Sequence, residues 1–147
     1  MTNVGQPIEI LLIEDNEGDI ILTKKAFKKG KIANNLNICR NGKEGLDFLF
    51  KRNGHENART PDLILLDLNM PEVSGQEVLE EIKKDDELKV IPVIILTTST
   101  SDEDILKSYQ LHASGFIKKP VDFSQFGKII MHIQDYWFTV IKFPPKN

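Results

Sequence analysis

The sequence predicts an α/β protein, a doubly wound (βα)5 sandwich built on a five-stranded parallel sheet. Three observations carry that expectation. Short apolar runs recur five times along the 147 residues. The first, third and fourth are continuously apolar, which is the pattern of strands covered on both faces. Amphipathic stretches of helical period separate the runs, and right-handed crossovers place such helices on both sides of a sheet.

The elements follow in order. Ile10-Leu11-Leu12-Ile13 opens the sheet, and Asp19 to Gly30 then sets Ile20, Leu22, Ala26 and Phe27 on one stripe before a basic cluster and a glycine stop. Leu36-Asn37-Ile38-Cys39 is the second strand, followed by a helix from Lys43 to Phe50 carrying Leu46, Leu49 and Phe50. The polar loop from Arg52 to Pro61 is expected to be mobile. Leu63-Ile64-Leu65-Leu66 precedes a helix from Gln76 to Lys84 with Val78, Leu79 and Ile82 inward. Val93-Ile94-Ile95-Leu96 precedes Asp102 to Leu111, which carries Ile105, Leu106 and Tyr109. Gly115-Phe116-Ile117 is the last strand. A final helix from about Asp122 carries Phe123, Phe126, Ile129, Ile130, Ile133 and Trp137 at helical spacing.

Composition narrows the function classes. With 19 basic and 22 acidic side chains the net charge is −3, without the basic stripe of a nucleic-acid binder. The single cysteine, Cys39, forms no internal disulfide and fits no cysteine-based zinc pattern; it reads as a half-buried residue near a strand end. His55, His112 and His132 are scattered, without metal or triad spacing. The first residues lack the basic and apolar regions of a signal peptide, and no apolar run approaches the ~18 residues of a membrane span. A soluble, cytoplasmic domain is expected.

In a doubly wound sheet the chemistry sits beyond the carboxyl ends of the strands. The first strand ends in Glu14-Asp15, the third in Asp67-Leu68-Asn69-Met70-Pro71, the fourth in Thr97-Thr98-Ser99 and the fifth in Lys118-Lys119-Pro120. Taken singly, a strand-end aspartate is often only a helix cap, and Lys-Pro only a turn. Together they place three carboxylates, a hydroxyl and an ammonium on one edge. Carboxylates that close repel one another unless a cation lies among them. A hard divalent ion with oxygen ligands relieves this, and Mg²⁺ suits it. Nucleophile, metal, ammonium and hydroxyl are what holding a phosphoryl group on a carboxylate requires. A dehalogenase-type phosphatase would want a second acid two residues after the nucleophile, where Asn69 stands. A flavin mononucleotide binder would want a Ser/Thr/Gly-rich loop where Glu14-Asp15-Asn16-Glu17 stands. Neither a P-loop nor a dinucleotide fingerprint is present.

These residues make the chain resemble the response-regulator receiver domains of two-component signalling, from Ile8 to about Ile133. The resemblance is carried by Glu14-Asp15, by Asp67-Leu68-Asn69-Met70-Pro71 with Gly75 eight residues after the aspartate, by Thr97 and by Lys119-Pro120. It implies a flavodoxin-like sandwich with strand order 2-1-3-4-5, and a single-domain regulator that accepts a phosphoryl group from a histidine kinase. Asp67 would be the phospho-acceptor. Asp15 would ligate Mg²⁺ directly, Glu14 through water and Asn69 through its backbone carbonyl. Lys119 would pair with Asp67 or its phosphate and precede a cis Lys119–Pro120 bond. Thr97 would move to the phosphoryl oxygen, the Phe116 ring would swing inward, and Thr98 would control access of water. The only enzymatic chemistry implied is the domain's own phosphorylation and dephosphorylation.

The domain organisation expected is a flexible segment 1–7, a receiver domain 8–134 and an apolar extension 135–147, with no effector domain. Output would then be a partner contact or a phosphorelay step. The extension holds Tyr136, Trp137, Phe138, Val140, Ile141 and Phe143, too apolar for a solvated end. It either folds back to cap the core or, the preferred reading, builds a dimer interface. Its Trp-Phe-x-x-Val-x-x-Pro pattern resembles the stand-alone regulators of bacterial phytochrome kinases, which implies a homodimer through the face of helix four, strand five, helix five and the extension. The sensor kinase, phytochrome-type in that case, or a phosphotransfer protein would be the partner. A phosphorylation-independent receiver-like binding module is the alternative, and the intact set of Asp15, Asp67, Thr97 and Lys119 argues against it.

Overall fold

The computed structural model describes residues 7–30, 32–99, 101–139 and 141–146. Five strands and five helices alternate: β1 (Ile8–Ile13), α1 (Glu17–Lys29), β2 (Asn34–Cys39), α2 (Gly42–Leu49), β3 (Leu63–Leu66), α3 (Gly75–Lys84), β4 (Val93–Thr97), α4 (Asp102–Gln110), β5 (Gly115–Lys118) and α5 (Phe123–Thr139). A 3-10 turn at Leu88–Val90, which the apolar period does not announce, precedes β4. All pairings are parallel and the order is β2-β1-β3-β4-β5, the flavodoxin-like arrangement expected. Because β1 pairs with β2 on one side and β3 on the other, the chain reverses its winding there. That reversal opens a crevice at the carboxyl ends of the strands.

The strand period of two divides the core. Leu11, Ile13, Ile64, Leu66, Val93 and Ile95 face one layer, with Val78, Leu79 and Ile82 of α3 packed on them. Ile10, Leu12, Leu63, Leu65, Ile94 and Leu96 face the other, against Ile20 and Phe27 of α1 and Phe126, Ile130 and Ile133 of α5. Both faces being covered explains the unbroken apolar runs of β1, β3 and β4. Edge strand β2 keeps Asn34, Asn35 and Asn37, which hid its first two residues from a pattern search.

Four helices start on a side-chain cap placed three residues before an acid: Asn16 accepts from the Asp19 N–H, Asn41 from Glu44, Ser74 from Glu77 and Ser101 from Asp104. At the far end of α1, the buried Gln134 amide donates to the Ala26 carbonyl at 2.9 Å, closing one of the helix's orphan acceptors. Among the described residues, no helix is long and apolar enough to cross a membrane. Cys39 is fully buried rather than half-buried, and burial pushes its thiol far above the ordinary range.

The Arg52 to Pro61 loop, expected to be mobile, is pinned instead. The buried Asp47 carboxylate accepts from Arg52 Nε at 2.9 Å, Asn53 Nδ2 at 3.1 Å and Lys43 Nζ at 3.1 Å. His55 packs on Phe48 with ring centroids 5.6 Å apart. Polar composition concealed this because the anchor lies upstream, on α2. The hydrogen bonds from Arg52 and Lys43 hold the Asp47 carboxyl down, near about 2 against an ordinary 3.8. A depressed carboxylate stabilises the fold above its unfolded value and loses that contribution as pH falls through its folded one. Urea melts between pH 4 and 2 are therefore expected to show a fall in stability that Asp47→Asn diminishes. The variant is also expected to melt several degrees lower at neutral pH; unchanged acid dependence would count against the staple.

The expected segment 1–7 lies, apart from Pro7, outside the described residues, as does Val140. The C-terminal residues fold back on the core. Phe138 stacks on Phe27 at 6.1 Å, and Phe143 on Trp137 at 6.2 Å. Lys146 Nζ donates to the Thr60 carbonyl at 2.7 Å and pairs with Asp62 at 3.2 Å. α5 continues to Thr139, so the extension begins as helix.

Candidate functional site

The sheet's own backbone ladder holds the residues at its carboxyl edge. Glu14 N–H donates to the Cys39 carbonyl at 3.0 Å, Asp67 N–H to Ile13 at 3.1 Å and Lys119 N–H to Thr97 at 2.7 Å. Pairing thus runs one residue past β1, β3 and β5, and each functional side chain hangs from a fixed backbone. Glu14, Asp67, Thr97 and Lys119 are each no more than 5% exposed, whereas Asp15, Asn69 and Thr98 are open to solvent.

Lys119 organises the pocket. Its ammonium hydrogen-bonds Glu14 in a short contact, donates to Asp19 at 2.9 Å and lies 3.7 Å from Asp67 Oδ2. Burial pushes the Glu14 carboxyl up, to about 7, against the pull of Lys119 and with a further push from Asp67. Burial works to lower the Lys119 pKa, but its bonds to Glu14 and Asp19 prevail and hold it above the ordinary value. The second Glu14 oxygen accepts from the Asn16 N–H at 3.0 Å.

Thr97 and Asp67 are linked through Asn69. The Asn69 N–H donates to Asp67 Oδ1 at 3.3 Å, and its side-chain amide donates to Thr97 Oγ1 at 3.3 Å. The threonine hydroxyl therefore keeps its own proton to give. Beyond it, Ser99 Oγ donates to Asp104 at 2.5 Å, and the same carboxylate accepts from Gln76 Nε2 of α3 at 3.1 Å. The serine hydroxyl holds the Asp104 carboxyl below its usual range. Phe116 is half-buried on β5 and packs against the core layer under α3.

Gly75 presses on the Asp67 loop from below. A Cβ there would sit 2.1 Å from the Asp67 carbonyl oxygen and 2.7 Å from Leu68 Cα. Neither backbone atom can yield without moving the strand end. Gly75→Ala is expected to lower stability by about 1–3 kcal/mol, read in urea melts, and to displace the Asp67 carboxylate. An alanine variant as stable as the wild type would show that the loop relaxes freely.

Carboxylate oxygens of Glu14, Asp15 and Asp67 all lie within 4.8 Å of one another. Hard oxygen donors, net negative charge around one ammonium, and an exposed Asp15 at the mouth fit a divalent ion such as Mg²⁺ that keeps part of its water. The geometry thus gathers Glu14, Asp15, Asp67, Asn69, Thr97 and Lys119 at one edge of the sheet, with Thr98 exposed beside Thr97 and Phe116 on β5. One expectation fails. No cis peptide bond occurs among the described residues, so Lys119–Pro120 is trans, the lower-energy form of an X–Pro bond. The ladder bond to Thr97 directs Lys119 into the pocket with that geometry. Asp19 was missed. The available signal was its place in the first turn of α1, four residues after Asp15, where a helix start faces the strand ends.

Comparison with known proteins agrees with this arrangement. The family model described as "Response regulator receiver domain" matches residues 10–131. Response regulator Rcp1 of Synechocystis sp. is 38% identical over 138 residues, covering 94% of each chain. The crystal structure of the Mn(2+)-bound form of response regulator Rcp1 superposes with a TM-score of 0.91 at 38% identity, over 95% of this chain and 100% of that one. That of the phosphorylated cyanobacterial phytochrome response regulator RcpA gives a TM-score of 0.93 at 39% identity, over the same shares.

Proposed function

The chain belongs to the response-regulator receiver family, and from that premise we propose that it accepts a phosphoryl group from a histidine kinase onto Asp67 and signals through a changed protein contact. The observation that carries this is the Lys119 ammonium buried among Glu14, Asp19 and Asp67 with Asp15 at the mouth. In the transfer, the P–N bond of a phosphohistidine breaks, its electron pair returns to the imidazole, and an Asp67 oxygen bonds to phosphorus. A divalent ion, for which Glu14, Asp15, Asp67 and the Asn69 carbonyl provide the donors, supplies neutralising charge to the phosphoryl oxygens when bound.

The chain's own residues do the rest. Lys119 offers a fixed positive charge to an oxygen of the new acyl phosphate. Thr97, whose hydroxyl accepts from Asn69, donates its free proton to another. Drawing Thr97 inward leaves room beside β4 for Phe116, which pairs in register with Ile95, to repack. Thr98 at the rim sets how readily water reaches the phosphorus. The added charge of about −2 biases this two-state packing. The domain modifies itself and no separate substrate.

Likeness to a phytochrome response regulator makes a phytochrome-type histidine kinase the partner we assign. Leu106 and Tyr109 of α4 are exposed, at 59% and 49%, which supports a homodimer through the α4–β5–α5 face.

Intact-mass spectrometry after incubation with acetyl phosphate, with and without Mg²⁺, tests the reading, with size-exclusion chromatography and light scattering on the same samples. One Mg²⁺-dependent phosphoryl adduct, lost in Asp67→Asn and accompanied by a shift in oligomeric state, is expected. No adduct under any condition overturns it.

A further inference from the structure

Asp19 has no part in the chemistry above, yet it holds the lysine. It is the third residue of α1 after the Asn16 cap. An acid at that position ordinarily reaches back to the backbone N–H of the cap residue. Here the Asn16 N–H is taken by Glu14 Oε1 at 3.0 Å. The Asp19 carboxylate turns instead to Lys119 Nζ, 2.9 Å away. Lys119 Nζ meanwhile stands 3.7 Å from Asp67 Oδ2, beyond hydrogen-bonding range. The ammonium is thus drawn toward Glu14 and Asp19. Asp67 feels its charge without being bonded by it.

We propose that Asp19 is a positioning residue, which holds the Lys119 ammonium off Asp67 in the resting protein and so leaves an Asp67 oxygen free to attack phosphorus. The inference rests on the reading of Asp67 as acceptor. An ammonium has three donors, and with the Asp19 charge removed only Glu14 would compete with Asp67 for them. Lys119 then closes on Asp67 Oδ2. A carboxylate oxygen held in a charge-assisted hydrogen bond gives up electron density that attack needs. When the phosphoryl group arrives, its oxygens outbid Asp19 and the lysine crosses to them. A plain helix-terminus role would act differently: an acid in the first turn of a helix changes stability through the macrodipole, not the rate of transfer from a phosphoryl donor.

The test uses the full chain, acetyl phosphate and Mg²⁺, with adduct formation followed by intact mass for wild type, Asp19→Asn, Asp19→Ser and Asp19→Glu. The acyl O–P bond of the donor breaks with its electron pair going to acetate, and the Asp67 O–P bond forms; no proton or oxidant is required. The two charge-free variants are expected to show a maximal rate lower by about tenfold. Their half-saturating acetyl phosphate concentration should be unchanged or lower, since a charge that repels the donor has gone. Asp19→Glu is expected to keep most of the rate. A wild-type maximal rate in a folded charge-free variant overturns the inference, as does an equal loss in Asp19→Glu. Failure of both charge-free variants to fold, read by circular dichroism, assigns Asp19 a structural role and overturns it too. A wild type that takes up no phosphoryl group overturns the acceptor reading and the inference together, whereas adduct in the wild type with unaffected variants overturns the inference alone.

Discussion

Asp67→Asn is expected to leave a folded protein that takes up no phosphoryl group. The amide oxygen of asparagine is no nucleophile toward phosphorus, so the loss is complete rather than graded. The fold survives because Asp67 is the carboxylate that Lys119 holds least. Glu14 and Asp19 keep their bonds to the ammonium, and the Asn69 N–H finds the same kind of oxygen in an asparagine. Removing one of several mutually repelling carboxylates makes the metal-free variant at least as resistant to urea as the wild type. Intact mass and urea melts together separate lost chemistry from lost structure. Residual adduct would direct attention to Asp15 as a second acceptor, and a marked loss of stability would mean that Asp67 carries more of the pocket's cohesion than its 3.7 Å separation from Lys119 indicates.

Lys119→Met has the largest expected effect on stability. The substitution keeps the side-chain length and removes the only cation within the carboxylate cluster among the described residues, leaving Glu14 at 2% and Asp67 at 5% exposure without a counter-charge. Breaking a buried pair by removing one partner costs about 3–5 kcal/mol. Besides proton uptake by Glu14, Mg²⁺ is then the means of neutralising the cluster, so its stabilising effect, read as the shift in melting temperature between chelator and Mg²⁺ buffers, should be larger in the variant than in the wild type. Equal shifts would mean that the lysine and the ion do not share the same carboxylates.

The strand positions were legible because both faces of β1, β3 and β4 are buried and nearly every residue there is apolar, Glu9 near the start of β1 and Thr97 at the end of β4 being the exceptions. The strand-end chemistry was legible for a related reason. Where such a run stops at Glu14, Asp67, Thr97 or Lys119, the next side chain hangs from a backbone the sheet still holds, so sequence adjacency to a strand end amounts to a spatial address. Asp19 lacks that address. It belongs to the first turn of a helix and meets a lysine 100 residues away, and an acid there reads as a favourable helix start whatever it touches. The anchoring of the 52–61 loop and the Gln134 cap on Ala26 were hidden for the same reason, each being one polar side chain reaching a backbone or a loop that no periodicity marks. Gly75 could be singled out only by its resemblance to a family position; that its α-carbon abuts the Asp67 carbonyl is visible only in three dimensions.

The Asp104 carboxylate, which joins Ser99 to Gln76, has a consequence for how information travels. Gln76 follows Gly75, the residue wedged against the Asp67 backbone, while Asp104 lies in the first turn of α4. The acceptor loop and the exposed helix are therefore two ends of one linkage, and thermodynamic reciprocity applies to it. If occupancy of Asp67 alters the affinity of a protein for α4, that protein, once bound, shifts the phosphorylation equilibrium of Asp67 by the same factor. On the function proposed above, a downstream target would then become an input, and the receiver would report its listeners to its kinase as well as its kinase to its listeners.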